Sequence, residues 1–197
     1  MNVQALASGA SAAQSRNALT RAYSIQAVQH AADRAVALVR GYLLDELPGS
    51  QVHDVQEDPR FRHRGVDLLW ERPGLDVLGV EVKGDRQAAR RGTYFLELVS
   101  NVEKDTPGCF LYSTADLLAY VFLDRRELHL LPLSATREWF VARSSEFPLR
   151  RAQTRVGPAR YTTVGAAVPA ARVLREVGGA RRVDLACRPP GDPGPAR

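Results

Sequence analysis

Apolar residues recur at spacings of three and four through residues 16–47: Ile25, Val28, Ala32, Ala35, Val39, Leu43 and Leu47. That period belongs to one face of an α-helix, and Pro48-Gly49 stops it. Beyond the stop the period falls to two. Residues 51–57 alternate weakly. Residues 65–71 set Val66, Leu68 and Trp70 against Asp67 and Leu69. Residues 76–83 set Leu78, Val80 and Val82 against Val77, Gly79, Glu81 and Lys83. These read as strands, and Pro73-Gly74 between the last two predicts a hairpin. Residues 93–100 are expected as a strand or short helix. Residues 113–119 are expected to begin a helix capped by Ser113 or Thr114. A second hairpin spans residues 120–133 around Asp124-Arg125-Arg126. Ser134 caps a helix to about residue 145, residues 150–164 are loosely strand-like, and a short helix lies near 170–177.

The organisation expected is a single α/β core over residues 16–146. Residues 147–187 form an arginine-rich extension packed on it, and residues 1–15 and 188–197 are disordered ends. No repeat is visible.

Side chains on a strand point to alternate faces, so Glu81 and Lys83 share one face with Val77 and Gly79. The opposite face (Leu78, Val80, Val82) is apolar and belongs in a core. Glycine at position 79 is expected to leave room beside the charged pair for a ligand. Asp67 lies in the partner strand. A two-residue Pro73-Gly74 turn would send Asp67 and Glu81 to opposite faces. Bringing them level requires an odd loop, such as Pro73-Gly74-Leu75, or a β-bulge. In that register two carboxylates and an ammonium converge. Paired oxygen ligands with open positions suit Mg²⁺ or Mn²⁺, which keep several waters and accept phosphate oxygens.

Asp67 followed by Glu81-Val82-Lys83, in a strand hairpin after a long N-terminal helix, resembles the PD-(D/E)XK nuclease superfamily. That group includes restriction endonucleases, archaeal Holliday-junction resolvases and phage or repair nucleases. The likeness covers roughly residues 25–133. It implies a restriction-endonuclease-like fold, a mixed central β-sheet flanked by helices, in a metal-dependent endonuclease acting on DNA in repair, recombination or restriction. It implies Asp67 and Glu81 as ligands of Mg²⁺ or Mn²⁺, the Val82 backbone carbonyl as a third, and Lys83 as the residue that positions or activates water. Many members add an acid from the first helix, for which Asp33 is the candidate, and Glu97 is a further candidate for the metal site or for holding a basic side chain. Val66 stands where the pattern has proline. A homodimer is also implied. A catalytically inactive nucleic-acid-binding or assembly protein with the same fold is the alternative.

Charge sharpens this picture. Of 27 basic residues only Lys83 and Lys104 are lysine, so an ammonium inside Glu-x-Lys stands out against an arginine background. Arg60, Arg62 and Arg64 precede Asp67, and Arg86, Arg90 and Arg91 follow Lys83. Guanidinium forks suit phosphate, so these six are the candidate nucleic-acid contacts. Residues 134–197 carry 12 arginines against five acids, a balance that favours a polyanionic partner. Two cysteines exclude a disulfide framework and fit a cytoplasmic protein. The scattered histidines offer neither zinc spacing nor a serine or cysteine hydrolase pattern. No run is long and apolar enough for a membrane span.

Overall fold

A computed structural model describes residues 21–86 and 92–186; Arg90, Arg91, residues 16–20 and both expected disordered ends lie outside them. After a short strand β1 (Arg21–Ser24), helix α1 runs Ile25–Glu46. Ser24 caps it, its hydroxyl accepting the Ala27 N–H at 3.2 Å, and Gly49, at φ 85°, follows its end. The buried line on α1 is Ala31, Ala35, Val36, Val39, Tyr42 and Leu43. Val28, expected on that line, is 40% exposed.

The remaining strands are β2 (Gln51–Asp54), β3 (Leu68–Glu71), β4 (Leu78–Asp85), β5 (Thr93–Asn101), β6 (Thr106–Pro107), β7 (Leu117–Phe122), β8 (Glu127–Pro132), β9 (Leu149–Val156), β10 (Ala159–Pro169) and β11 (Arg181–Asp184). The other helices are α2 (Pro59–Arg62), α3 (Cys109–Tyr112), α4 (Leu133–Val141) and α5 (Ala170–Glu176). One sheet has the order β11-β8-β7-β4-β3-β2. It is mixed: β4 and β7 run parallel and every other pair antiparallel. A second sheet has the order β1-β9-β10-β5-β6, antiparallel except for β1 beside β9.

The mixed sheet is buried on both faces. Along β7, Ala119 and Val121 face the α1 side with Val80, Val82, Leu68 and Leu130. Leu118, Tyr120 and Phe122 face the other side, against Tyr94, Leu96, Val164 and Val168 of the second sheet and Phe140 of α4. The expected mixed sheet is present, but helices cover only one face fully; a second sheet, with short helices beside it, covers the other. Packing against α1 is tight at Gly84, where a Cβ would lie 2.6 Å from the Ala31 carbonyl oxygen. Among the described residues no helix is long and apolar enough to cross a membrane.

Two expected elements differ. Residues 113–116 form no helix. The Ser113 hydroxyl donates to the Gly65 carbonyl at 2.6 Å and accepts the Ala115 N–H, and the apolar run that follows becomes β7. The described residues of the 147–187 stretch are not an appended extension: β10 is central to the second sheet and β11 forms an edge of the first.

A buried polar chain ties the two sheets together. The Tyr94 hydroxyl donates to His129 Nδ1 at 2.5 Å, His129 Nε2 donates to Glu127 at 2.7 Å, and Arg182 on β11 pairs with Glu127 at 2.7 Å. Burial pushes the Tyr94 hydroxyl up and the His129 imidazole down, the latter against the pull of Glu127. A neutral phenol donating to a neutral imidazole is the arrangement those shifts favour.

Gly84→Ala is expected to force α1 away from β4. The cost is about 2 kcal/mol, or roughly 4–8 °C in Tm for a chain of this size. Thermal unfolding followed by circular dichroism measures it.

Candidate active site

The site starts from a turn. Leu75 N–H donates to the Arg72 carbonyl at 3.0 Å, and Gly74 sits at φ 70°. This is the geometry that places proline and glycine at the two central positions of a type II turn. The Arg72 guanidinium donates to the Asp76 carbonyl at 2.7 Å and closes the far side. The loop is therefore the odd one, and β3 pairs with β4 as Leu68 with Val80, Leu69 with Gly79 and Trp70 with Leu78. One position before β3, Asp67 leaves the regular ladder, its carbonyl accepting the Val55 N–H at 2.9 Å, and lies beside Val80–Val82 of β4. Its N–H donates to the Val80 carbonyl at 2.9 Å, and its carboxylate accepts the Val82 N–H at 2.7 Å.

Lys83 projects on the same face as Glu81. Its Nζ is 4.0 Å from Glu81 Oε1 and 3.9 Å from Oε2 of Glu97, which β5 supplies from the second sheet. The cleft between them is lined by Glu81, Lys83, Glu97, Cys109, Ser113 and Tyr120. The Tyr120 hydroxyl donates to Asp85 at 2.9 Å and accepts the Phe95 N–H at 3.0 Å, which fixes β5 against β4. Gly108 N–H donates to Leu98 O at 2.8 Å, and a Cβ there would meet the Glu97 carbonyl at 2.2 Å. That close approach delivers Cys109 into the cleft. Arg137 of α4 then holds α3 from behind, donating to the carbonyls of Phe110 and Ser113 at 2.9 Å each.

The electrostatics are those of charge under low-dielectric cover. Burial pushes Glu81 up to about 7; Lys83 resists this, while Asp67 and Glu97 add to it. Burial also raises Asp67, against the Val82 N–H and Lys83. For Lys83, burial works against the charge, but the Glu97 and Glu81 carboxyl groups oppose it, and the ammonium is held above the usual lysine range. Burial pushes the Cys109 thiol up, so it stays neutral.

The structure thus gathers Asp67, Glu81, Val82, Lys83 and Glu97. It does not bring Asp33 to them. Asp33 is exposed, accepts Gln29 Nε2 at 2.9 Å, and lies on α1, which covers the opposite face of the sheet. Gly79 leaves no ligand space either: a Cβ there would meet Val66, Ala115 and Asp116 at 3.4–3.6 Å, and its N–H donates to the Asp116 carboxylate at 2.7 Å. Arg60 is exposed but pairs with Asp58 at 2.6 Å. Arg64, also exposed, donates to Thr114 at 3.1 Å. Arg62 and Arg86 are exposed. Sequence reasoning missed Cys109, Tyr120 and Asp85; Gly108 before Cys109 was the available signal of a close backbone approach.

Among the described residues no group of three or more His, Cys, Asp or Glu side chains is gathered as a metal cage. A hydrated Mg²⁺ does not need one. It commonly binds through one or two carboxylates and keeps several waters, and Asp67, Glu81 and the Val82 carbonyl are hard oxygen donors of that kind. Comparisons with protein-family models, curated proteins and solved structures give no match.

Glu81 carries a linkage consequence. A carboxyl raised from 4.5 to about 7 by folding contributes stability below its unfolded pKa, and that contribution is lost as pH rises through about 7. Glu81→Gln is therefore expected to gain on the parent as pH rises from about 4.5, reaching on the order of 1–3 kcal/mol at about pH 8. Denaturant unfolding across that range measures the gap; a gap that shrinks with pH would contradict the burial argument.

Proposed function

We propose that this chain is a metal-dependent nuclease of the PD-(D/E)XK type, hydrolysing phosphodiester bonds of DNA with Mg²⁺ or Mn²⁺. The observation that carries the reading is the hairpin register, which brings the Asp67 carboxylate to the Val82 N–H, next in the chain to Glu81, with Lys83 beside Glu81 on one face. The chain order supports it: a long helix, three antiparallel strands of the mixed sheet with short α2 between the first two, then β5, β6 and α3, and β7 parallel to the third of those strands.

Asp67, Glu81 and the Val82 carbonyl would hold the cation. When bound, a divalent ion neutralises charge on the scissile phosphate and lowers the pKa of coordinated water. Lys83 is held charged, so its role is that of a donor. Its ammonium orients the attacking water or stabilises charge developing on a phosphate oxygen. Glu97 faces Lys83 from the second sheet and anchors it beside Glu81. The hydrogen bond from Val82 N–H keeps the Asp67 carboxylate turned toward β4. Arg62 and Arg86, exposed and flanking the cluster in sequence, suit backbone phosphates.

A second reading keeps the fold and the nucleic-acid surface without catalysis.

Plasmid, single-stranded and branched DNA with Mg²⁺ or Mn²⁺ separate the two. The nuclease reading expects cleavage that chelator abolishes. It expects Lys83→Ala to lower the rate by about 100-fold or more, with DNA affinity in chelator unchanged. A Lys83→Ala protein that cuts like the parent would overturn it, and binding without cutting supports the second reading.

A further inference from the structure

The hairpin formed by β9 and β10 carries charge that the fold itself does not use. Its two-residue turn is Gly157-Pro158, with Gly157 at φ 57°, the first central position that type II′ turns give to glycine. Next to the turn, Arg155 and Arg160 stand directly opposite each other across the ladder. Both are exposed. Neither has a hydrogen bond or ion pair to another side chain among the described residues. Like charges directly opposite each other destabilise an antiparallel pair.

Residues 149–161 contain four arginines and no acid. Arg150 is exposed and donates only to the neighbouring Leu149 carbonyl. Arg151 has the Glu103 carboxylate nearby. The unbalanced charge is therefore concentrated at the tip, where both arginines and the turn line one shallow depression.

We propose that this hairpin is a clamp for the phosphate backbone of nucleic acid, with Arg155 and Arg160 gripping phosphates at its tip. Guanidinium forks bind phosphate oxygens bidentately, and a two-stranded ribbon is narrow enough to lie along a groove of duplex DNA. Phosphate between the two arginines removes the repulsion that the free hairpin bears. The clamp sits away from the cleavage cluster. Gly165 of β10 is level with Glu97, and Arg160 is five positions further along, or ~17 Å at strand rise. That span corresponds to about five nucleotide steps of duplex. On the nuclease reading, the clamp holds DNA beyond the bond being cut; the clamp itself shares with that reading only its class of partner.

The test is binding of a fluorescein-labelled random-sequence duplex of about 30 base pairs in EDTA, by anisotropy, from roughly 50 to 200 mM KCl. Replacing both arginines (Arg155→Gln, Arg160→Gln) is expected to flatten the slope of log affinity against log salt by about 2, one phosphate contact each. Affinity at the low-salt end should fall about 10- to 100-fold. The thermal midpoint of the free double variant should hold or rise, because a repulsion has been removed. An unchanged slope and affinity would overturn the clamp. So would a parent that binds no DNA, or an affinity loss accompanied by a lower thermal midpoint, which marks a structural role. If the parent fails to cut with Mg²⁺ but the slope change is seen, the clamp stands and the nuclease reading falls. If cutting is intact and the slope unchanged, the clamp alone falls.

Discussion

Strand β4 has to satisfy two incompatible environments, and the rest of the molecule follows from how it does so. Val80 and Val82 press into an apolar layer beneath α1, closely enough that only glycine fits at position 84. Glu81 and Lys83 point the opposite way, into the gap beneath the second sheet. Slipping the β3–β4 pairing by one residue would drive both charges under the helix and expel the valines. The Pro73-Gly74 turn and the Asp67 contact to Val82 guard against that slip from opposite ends of the hairpin.

The second sheet turns a charged strand face into a pocket. It brings Glu97 to Lys83 and covers Glu81, which is why one carboxyl rises toward neutrality while the amine stays charged. Partial cover strengthens each of these interactions relative to an open surface, although Lys83 stays about one-third exposed. The sheets are held in place by polar ties as well as by packing. Tyr120 bridges Asp85 and the Phe95 N–H, and Tyr94 reaches His129. Directional bonds of this kind fix the height of β5 over β4, and so the reach of Glu97.

Local signals were readable where a short-range rule decides the outcome. The helix before Pro48, the β3–β4 hairpin with its odd loop, the β7–β8 hairpin and the last two helices could all be read from period and turn chemistry, although Ser134 lies inside α4 and bonds Glu138 rather than capping it. Asp67, Glu81 and Lys83 were brought to one face by the same reasoning. What escaped depends on contacts distant in sequence. Alternation shows which face of a strand is apolar but not which strand lies beside it. So the second sheet was invisible, and the weakly patterned residues 150–164 read as an appendage although β10 is central. Asp33 failed because an alanine-rich helix leaves its rotation ambiguous: the buried line passes through Ala31 and Ala35, which turns Asp33 outward. Gly79 failed because its missing side chain makes room for residues 115–116, which no local pattern places there.

The position of β10 has a consequence for biosynthesis. Its partner β5 ends at Asn101, and β10 begins at Ala159, roughly 60 residues later in translation. At about 5–20 residues per second, the nascent chain carries β5 for several seconds without its long-range neighbour, its Leu96 and Leu98 side chains awaiting a core. Such late pairing slows folding and exposes sticky surface. A ribosome stalled before the final third would therefore display a species prone to aggregation, with Glu81 and Lys83 still open to solvent.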